Sequence, residues 1–142
     1  MAPRDSEQAE WTRFCEGPVA EVWIHEKCRK EMNKHLSDKD RSKIEACMKK
    51  MYCTMEHPED ISREKLNQNE GSCKLKGKDK RVQAFKYYQG RVYGVQGAVN
   101  GKRAFFAACA AVKKDDLLDP NERDRVARRI ETSLGDVAGA TY

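Results

Sequence analysis

KLKGKDKRVQAFKYYQGRVYGVQGAVNGKRAF, residues 74–105, decides how this chain is read. Its first part is thick with Lys and Arg, and the remainder alternates aromatic, small and β-branched residues. Asn100-Gly101 stands between two alternating runs. Asn-Gly in that setting is the strongest short-range hairpin signal, because both central residues of a type I′ turn need positive φ. The stretch with its continuation predicts three antiparallel strands, 81–88, 91–99 and 102–112, joined at Gln89-Gly90 and Asn100-Gly101.

Working outward, residues 1–18 are polar, end in Gly17-Pro18 and read as a flexible N-terminal arm. Residues 19–24, VAEVWI, read as a short strand, and the pattern turns helical from Glu26. Ile44, Cys47, Met48, Met51, Tyr52 and Met55 recur at spacings of three and four, which gives an amphipathic helix with Ser37 or Asp38 as its cap. Residues 57–72 show little periodicity and several turn formers, and read mainly as a connecting loop. Asp119, Pro120 and Glu122 form a helix start with a capping box; Val126, Ala127, Ile130 and Leu134 supply its core face. Gly135 ends that helix, and 136–142 read as a tail. The expectation is a single α+β domain over 19–135, order β-α-α-β-β-β-α, with a twisted antiparallel sheet, an N-terminal helical hairpin and a C-terminal helix.

The 142 residues carry 28 Lys and Arg against 23 Asp and Glu, a formal net charge of +5. The excess is modest, and its distribution says more. Lys74, Lys76, Lys78, Lys80, Arg81, Lys86 and Arg91 fall within eighteen residues against a single acid, Asp79. Acids collect instead around 56–70 and 115–124. Segregation of this kind suits an anionic partner. No run approaches the roughly 18 apolar residues of a membrane helix. MAPRDSEQAEWTRFCEG lacks the apolar core of a secretory signal, so a cytoplasmic protein without a membrane partner is expected, its six cysteines mostly reduced. Cys47, Cys53, His57 and Cys73 lack the tight C-x₂₋₄-C pair of a zinc site, so no metal or other cofactor is expected.

Arg91 and Tyr93 are two apart on a strand and share a face. Together they suit a phosphate and an unstacked base, or else a cross-strand packing pair. Lys86 on the neighbouring strand faces the same cleft in this reading. Asp115 and Asp116 suit either a general base or a turn cap.

KLKGKDK (74–80), RVYGV (91–95) and AAVKKDDLLDPNERDRVARRI (110–130), in this order and spacing, resemble the RelE/ParE toxin superfamily, nearest its HigB and phage host-killing branch. The likeness spans roughly residues 19–134. It implies a RelE-like fold and the toxin half of a toxin–antitoxin pair, a metal-independent endoribonuclease that cuts mRNA on the ribosome and is neutralised by a cognate antitoxin. ParE-type relatives instead inhibit gyrase, so a non-nuclease binder or a degenerate adaptor stays open. In such a nuclease the ribose 2′-OH attacks the adjacent phosphorus, and positioned cations stabilise the charge that develops. The resemblance sets Lys76 at an RNA-contacting position and Lys113 and Lys114 beside the active site. The candidate catalytic set is Lys86, Arg91, Tyr93 and Lys113; the candidate RNA-binding set is Lys74, Lys76, Lys78, Lys80, Arg81 and Lys114. The chain departs from the family pattern at Gly94, where an arginine follows the tyrosine in many members.

Overall fold

A computed structural model describes residues 10–113 and 118–142. Along the chain run β1 (Trp11–Glu16), β2 (Ala20–His25), α1 (Glu26–His35), α2 (Asp38–Cys47), β3 (Leu66–Leu75), β4 (Lys78–Tyr87), β5 (Gly90–Val99), β6 (Lys102–Val112), α3 (Pro120–Ser133) and β7 (Ala140–Thr141). One seven-stranded sheet carries all the strands in the order β1-β2-β6-β5-β4-β3, with β7 on β5. β2 and β6 are parallel, and every other pair is antiparallel.

The pleat of β5 and β6 sends alternate residues to two cores. Val92 and Phe105 join Met32, Ile44, Met48 and Tyr52 beneath α1 and α2. Tyr93, Val95 and Phe106 join Val126, Ile130 and Leu134 of α3 on the other face. Local chemistry fixes the helix starts. Ser37 Oγ accepts from the Asp40 amide at 3.1 Å, and Asp119 Oδ1 accepts from the Asn121 amide at 2.7 Å with Pro120 opening α3. Below α2 the chain winds through a π turn, Met48–Tyr52, which keeps Met48 and Tyr52 on the core face. Asn100 and Gly101 take φ of 52° and 81°, the expected type I′ turn.

The expected order needs four corrections. Residues 11–16 are edge strand β1 and no loose arm: Trp11 is buried against Phe106, and its indole N–H donates to Ser133 Oγ at 2.7 Å. The second half of the expected 57–72 loop is β3, paired to β4 around Lys76 and Gly77, which sit at φ 53° and 78° in a second tight turn. The expected tail supplies β7. The sheet is mixed because β2 enters parallel to β6, so the wholly antiparallel, RelE-like arrangement is not what the chain adopts. No helix among the described residues is long and apolar enough to cross a membrane.

β2 stops pairing with β6 at Ile24↔Ala107, where the chain turns into α1. The edge of β6 beyond that point would be left with orphaned backbone groups. Side chains from the two faces fill the gap. The Glu31 carboxylate of α1 accepts from the Ala110 amide at 3.1 Å, and Arg129 of α3 donates to the Ala108 carbonyl at 2.8 Å. The two close on each other in a bidentate pair, 2.9 and 2.8 Å. Burial pushes the Glu31 carboxyl up, but hydrogen bonds from Arg129 and Ala110 and the guanidinium charge outweigh it and hold it below its ordinary value. A carboxyl whose folded pKa lies below its unfolded one stabilises the fold above the unfolded value, and that contribution is lost as pH falls through the folded one. Glu31→Gln is therefore expected to cost roughly 3 kcal/mol at about pH 7. The cost should shrink steadily below about pH 4, where the wild-type carboxyl also protonates, as read by urea unfolding across a pH series. A difference independent of pH would refute this role.

Candidate nucleic-acid interface

The basic run from Lys74 to Arg81 does not form one patch, because the pleat divides it. Register pairs Leu75 with Lys78 and Cys73 with Lys80, and Cys73 and Leu75 lie in the core beneath α3. Lys78 and Lys80 therefore emerge on the α3 side of the hairpin. Arg81 emerges on the other, and Lys74 and Asp79 lie at the hairpin edge, where they also border Arg123 and Asp124 of α3. Lys74 is ion-paired to Asp79 at 2.8 Å, and Arg81 borders a shallow hollow with Asn69, Gly71 and Ser72.

A fork in the sheet makes the α3-side lysines into a groove. β4 pairs with β5 only from Tyr87↔Gly90 to Gln83↔Gly94, and its first half follows β3 instead. β7 occupies the opening, pairing Thr141 with Ala98 and Ala140 with Val99. Gly97 permits this, since a Cβ there would fall on the Thr141 carbonyl oxygen. On the opposite face the fork is held by side chains. Tyr52 Oη donates to Gln96 at 3.0 Å, Gln96 to Gln83 at 2.7 Å, Gln83 to Gln68 at 2.8 Å, and Gln68 to the Pro58 carbonyl at 3.1 Å.

The resulting recess, about 400 Å³, is lined by Lys76, Lys78, Lys80 and the acid Asp79 on one wall and by Ala140, Thr141 and Tyr142 on the other. Lys76 Nζ lies 5.3 Å from the centre of the half-buried Tyr142 ring. The Lys76 backbone amide reaches Glu131 of α3 at 3.3 Å, which ties the turn to the helix. Ammonium groups set beside an aromatic ring are what a single-stranded phosphate backbone with unstacked bases requires. Sequence reading missed Tyr142, whose only signal was an aromatic at the end of an otherwise small-residue tail.

The expected catalytic set is brought to one region, at the other end of the same face, but Arg91 and Tyr93 are buried there and only Lys86 and Lys113 are partly exposed. Lys86 and Arg91 are register partners, and Tyr93 follows Arg91 on the same side of β5. Arg91 is 6% exposed and donates to the Tyr88 and Gly90 carbonyls at 2.7 and 3.0 Å, among its other interactions. Tyr93 is 1% exposed; burial and then the Glu122 and Glu70 carboxylates push its phenol well above the ordinary range. Among the described residues the Tyr93 ring is covered. Lys113 is bonded to Glu122 at 2.8 Å, with Asp119 at 4.0 Å. Lys114, Asp115 and Asp116 lie outside the described residues. Glu122, expected to complete the capping box, turns inward to Lys113 instead, and its Oε2 is buried without a hydrogen-bond partner among the described residues.

Gly94 has a steric cause. A bulge shifts the β5–β6 register between Tyr93 and Gly94 and brings the strands close. A Cβ at 94 would fall on the Phe106 carbonyl oxygen and 2.8 Å from the Phe105 ring. The arginine that the resemblance sets after the tyrosine has no room here. Gly94→Ala is expected to destabilise the fold by about 1–3 kcal/mol or more, measured by urea unfolding. A neutral effect would mean that the bulge is not fixed.

Compared with protein-family models, with curated proteins and with solved structures, the chain matches none.

Proposed function

We propose that this chain is the RNA-directed toxin of a toxin–antitoxin pair, acting on mRNA at the ribosome by gripping single-stranded RNA in the groove between the β3–β4 turn and β7. The observation that carries the proposal is the convergence of Lys76, Lys78 and Lys80 with the Tyr142 ring in one recess. The toxin class and a cognate antitoxin as partner rest on the sequence resemblance of 74–80, 91–95 and 110–130 to the RelE/ParE toxins alone, since the mixed sheet and Gly94 depart from that pattern. An antitoxin segment with acidic side chains would meet the same lysines and block the groove. The burial of Arg91 and Tyr93 favours gripping over cutting.

A second reading, a metal-independent endoribonuclease, is favoured by Glu122. Its buried Oε2 without a partner among the described residues is a candidate acceptor for the 2′-OH proton, with Lys113 beside it to offset charge. That reading requires α3 to lift from β3 and β6 so that RNA reaches Tyr93 and Glu122.

Binding of a labelled single-stranded RNA oligonucleotide, followed by fluorescence anisotropy across a salt series, tests the first reading. Each phosphate contact on a single strand contributes a slope of about 0.7 in log K against log salt, so losing two should flatten it by about 1.4. Lys78→Glu with Lys80→Glu is expected to weaken binding at least about tenfold and to flatten the slope by that amount. Arg81→Glu, on the opposite face, should leave the slope unchanged. Equal effects of the two changes would sink the groove as the binding site. Incubating the same RNA with chelator present separates the readings: fragments ending in 2′,3′-cyclic phosphate, lost in Glu122→Gln, would make cleavage the function.

A further inference from the structure

Cys15 and Cys53 come together from distant parts of the chain, with their sulfurs 3.4 Å apart. Two independent pieces of backbone geometry hold them there. A bulge in β1 between Arg13 and Cys15 sets Cys15 opposite Val22. Cys53 closes the π turn, its amide donating to the Met48 carbonyl at 3.1 Å, while its own carbonyl accepts from the Val19 and Ala20 amides at 3.2 Å each. The surroundings are cationic. Arg103 reaches over this turn to the carbonyls of Tyr52, Met55 and Glu56 at 2.7, 2.7 and 2.9 Å, and Lys102 pairs with Glu16 beside Cys15.

We propose that Cys15 and Cys53 are a peroxide-reactive dithiol that closes reversibly to a disulfide joining β1 to the turn after α2. The Cys53 thiolate attacks one oxygen of a hydroperoxide, giving the sulfenic acid and releasing the other oxygen as water or alcohol. The Cys15 thiol then attacks the Cys53 sulfur. The S–S bond forms and the sulfenic hydroxyl leaves as a second water after taking the thiol proton. Overall, two thiols lose two hydrogens and one hydroperoxide is reduced.

The order of events follows from Arg103, which bonds the carbonyls on either side of Cys53, and from the greater exposure of Cys15. The contact between the two sulfurs, with the Arg103 and Lys102 charges, outweighs burial and Glu21 and lowers the Cys53 thiol, whereas burial pushes the thiols of Cys47 and Cys73 each up to about 11. Cys53 is 1% exposed, which shuts out a bulky disulfide and leaves the side of the half-buried Cys15 as the way in for a small peroxide. Cys15, half-buried on the edge strand, is placed to resolve it.

The full-length chain, reduced and then treated with one equivalent of hydrogen peroxide, should yield a Cys15–Cys53 cross-linked peptide after denaturing alkylation and digestion. The four remaining cysteines should be alkylated, and dithiothreitol should restore all six thiols. In Cys15→Ser the sulfenic acid on Cys53 should persist and be captured by a cyclic diketone such as dimedone. In Cys53→Ser neither product should form at Cys15, and circular dichroism reports whether that variant has kept its fold. Cross-links distributed among other cysteines would overturn the proposal. So would oxidation of folded wild-type protein that leaves Cys15 and Cys53 free, or dimedone capture at Cys15 instead of Cys53.

Discussion

The ion pair between Glu31 and Arg129 is the contact on which the arrangement depends. A strand that leaves its neighbour part-way exposes backbone donors and acceptors that water cannot reach once helices cover both faces. Here β2 leaves β6 at Ala107, and Glu31 and Arg129 supply the missing partners to Ala110 and Ala108. The same two groups bind each other, so the α1 face and the α3 face are joined through the gap. This permits β2 to run parallel to β6 without a longer strand to continue the pairing. With α1 and α3 so fixed, alternate residues of β5 and β6 have two cores to enter, and Tyr93 is committed to the one beneath α3.

A second departure from regular pairing makes the groove. The β4–β5 ladder ends at Gln83↔Gly94, and three glutamines with Tyr52 take over where backbone bonds stop. Each of those glutamines accepts through its carbonyl and donates through its amide, so the row can run across three strands without an unpaired group between its members. On the reverse side β7 fills part of the opening and leaves the rest as the recess beside Tyr142. The lysines of the β3–β4 turn thus gain a wall to face, which an isolated hairpin would not give them.

Much of this was legible in the sequence where the signal was local. Asn100-Gly101 fixed the β5–β6 hairpin, Asp119-Pro120 opened α3, and the three-and-four spacing from Ile44 to Tyr52 marked the buried stripe of α2 and its π turn. What was not legible depends on distant partners. LNQNEGSCKL is polar and carries Gly71 at φ 135° in a bulged register; it is a strand because β4 pairs with it. WTRFCE becomes a strand because β2 offers an edge and Trp11 finds Phe106 and Ser133. The alternation of Arg91 and Tyr93 was visible, but the face that α3 would cover was not, and that decided the burial of Tyr93. Tyr142 was equally hidden, since only the pairing of β7 with β5 carries it to Lys76.

The central claim is that RNA enters the recess between the β3–β4 turn and β7. Amide NMR spectra of the labelled full-length chain, titrated with a short single-stranded RNA, test it most directly. RNA in the proposed recess should concentrate shifts at Leu75–Lys80 and Ala140–Tyr142, with Arg91, Tyr93 and α3 near Glu122 unmoved. Shifts centred on β5 and Glu122 with the hairpin silent, or no shifts at RNA concentrations that saturate anisotropy, would contradict it.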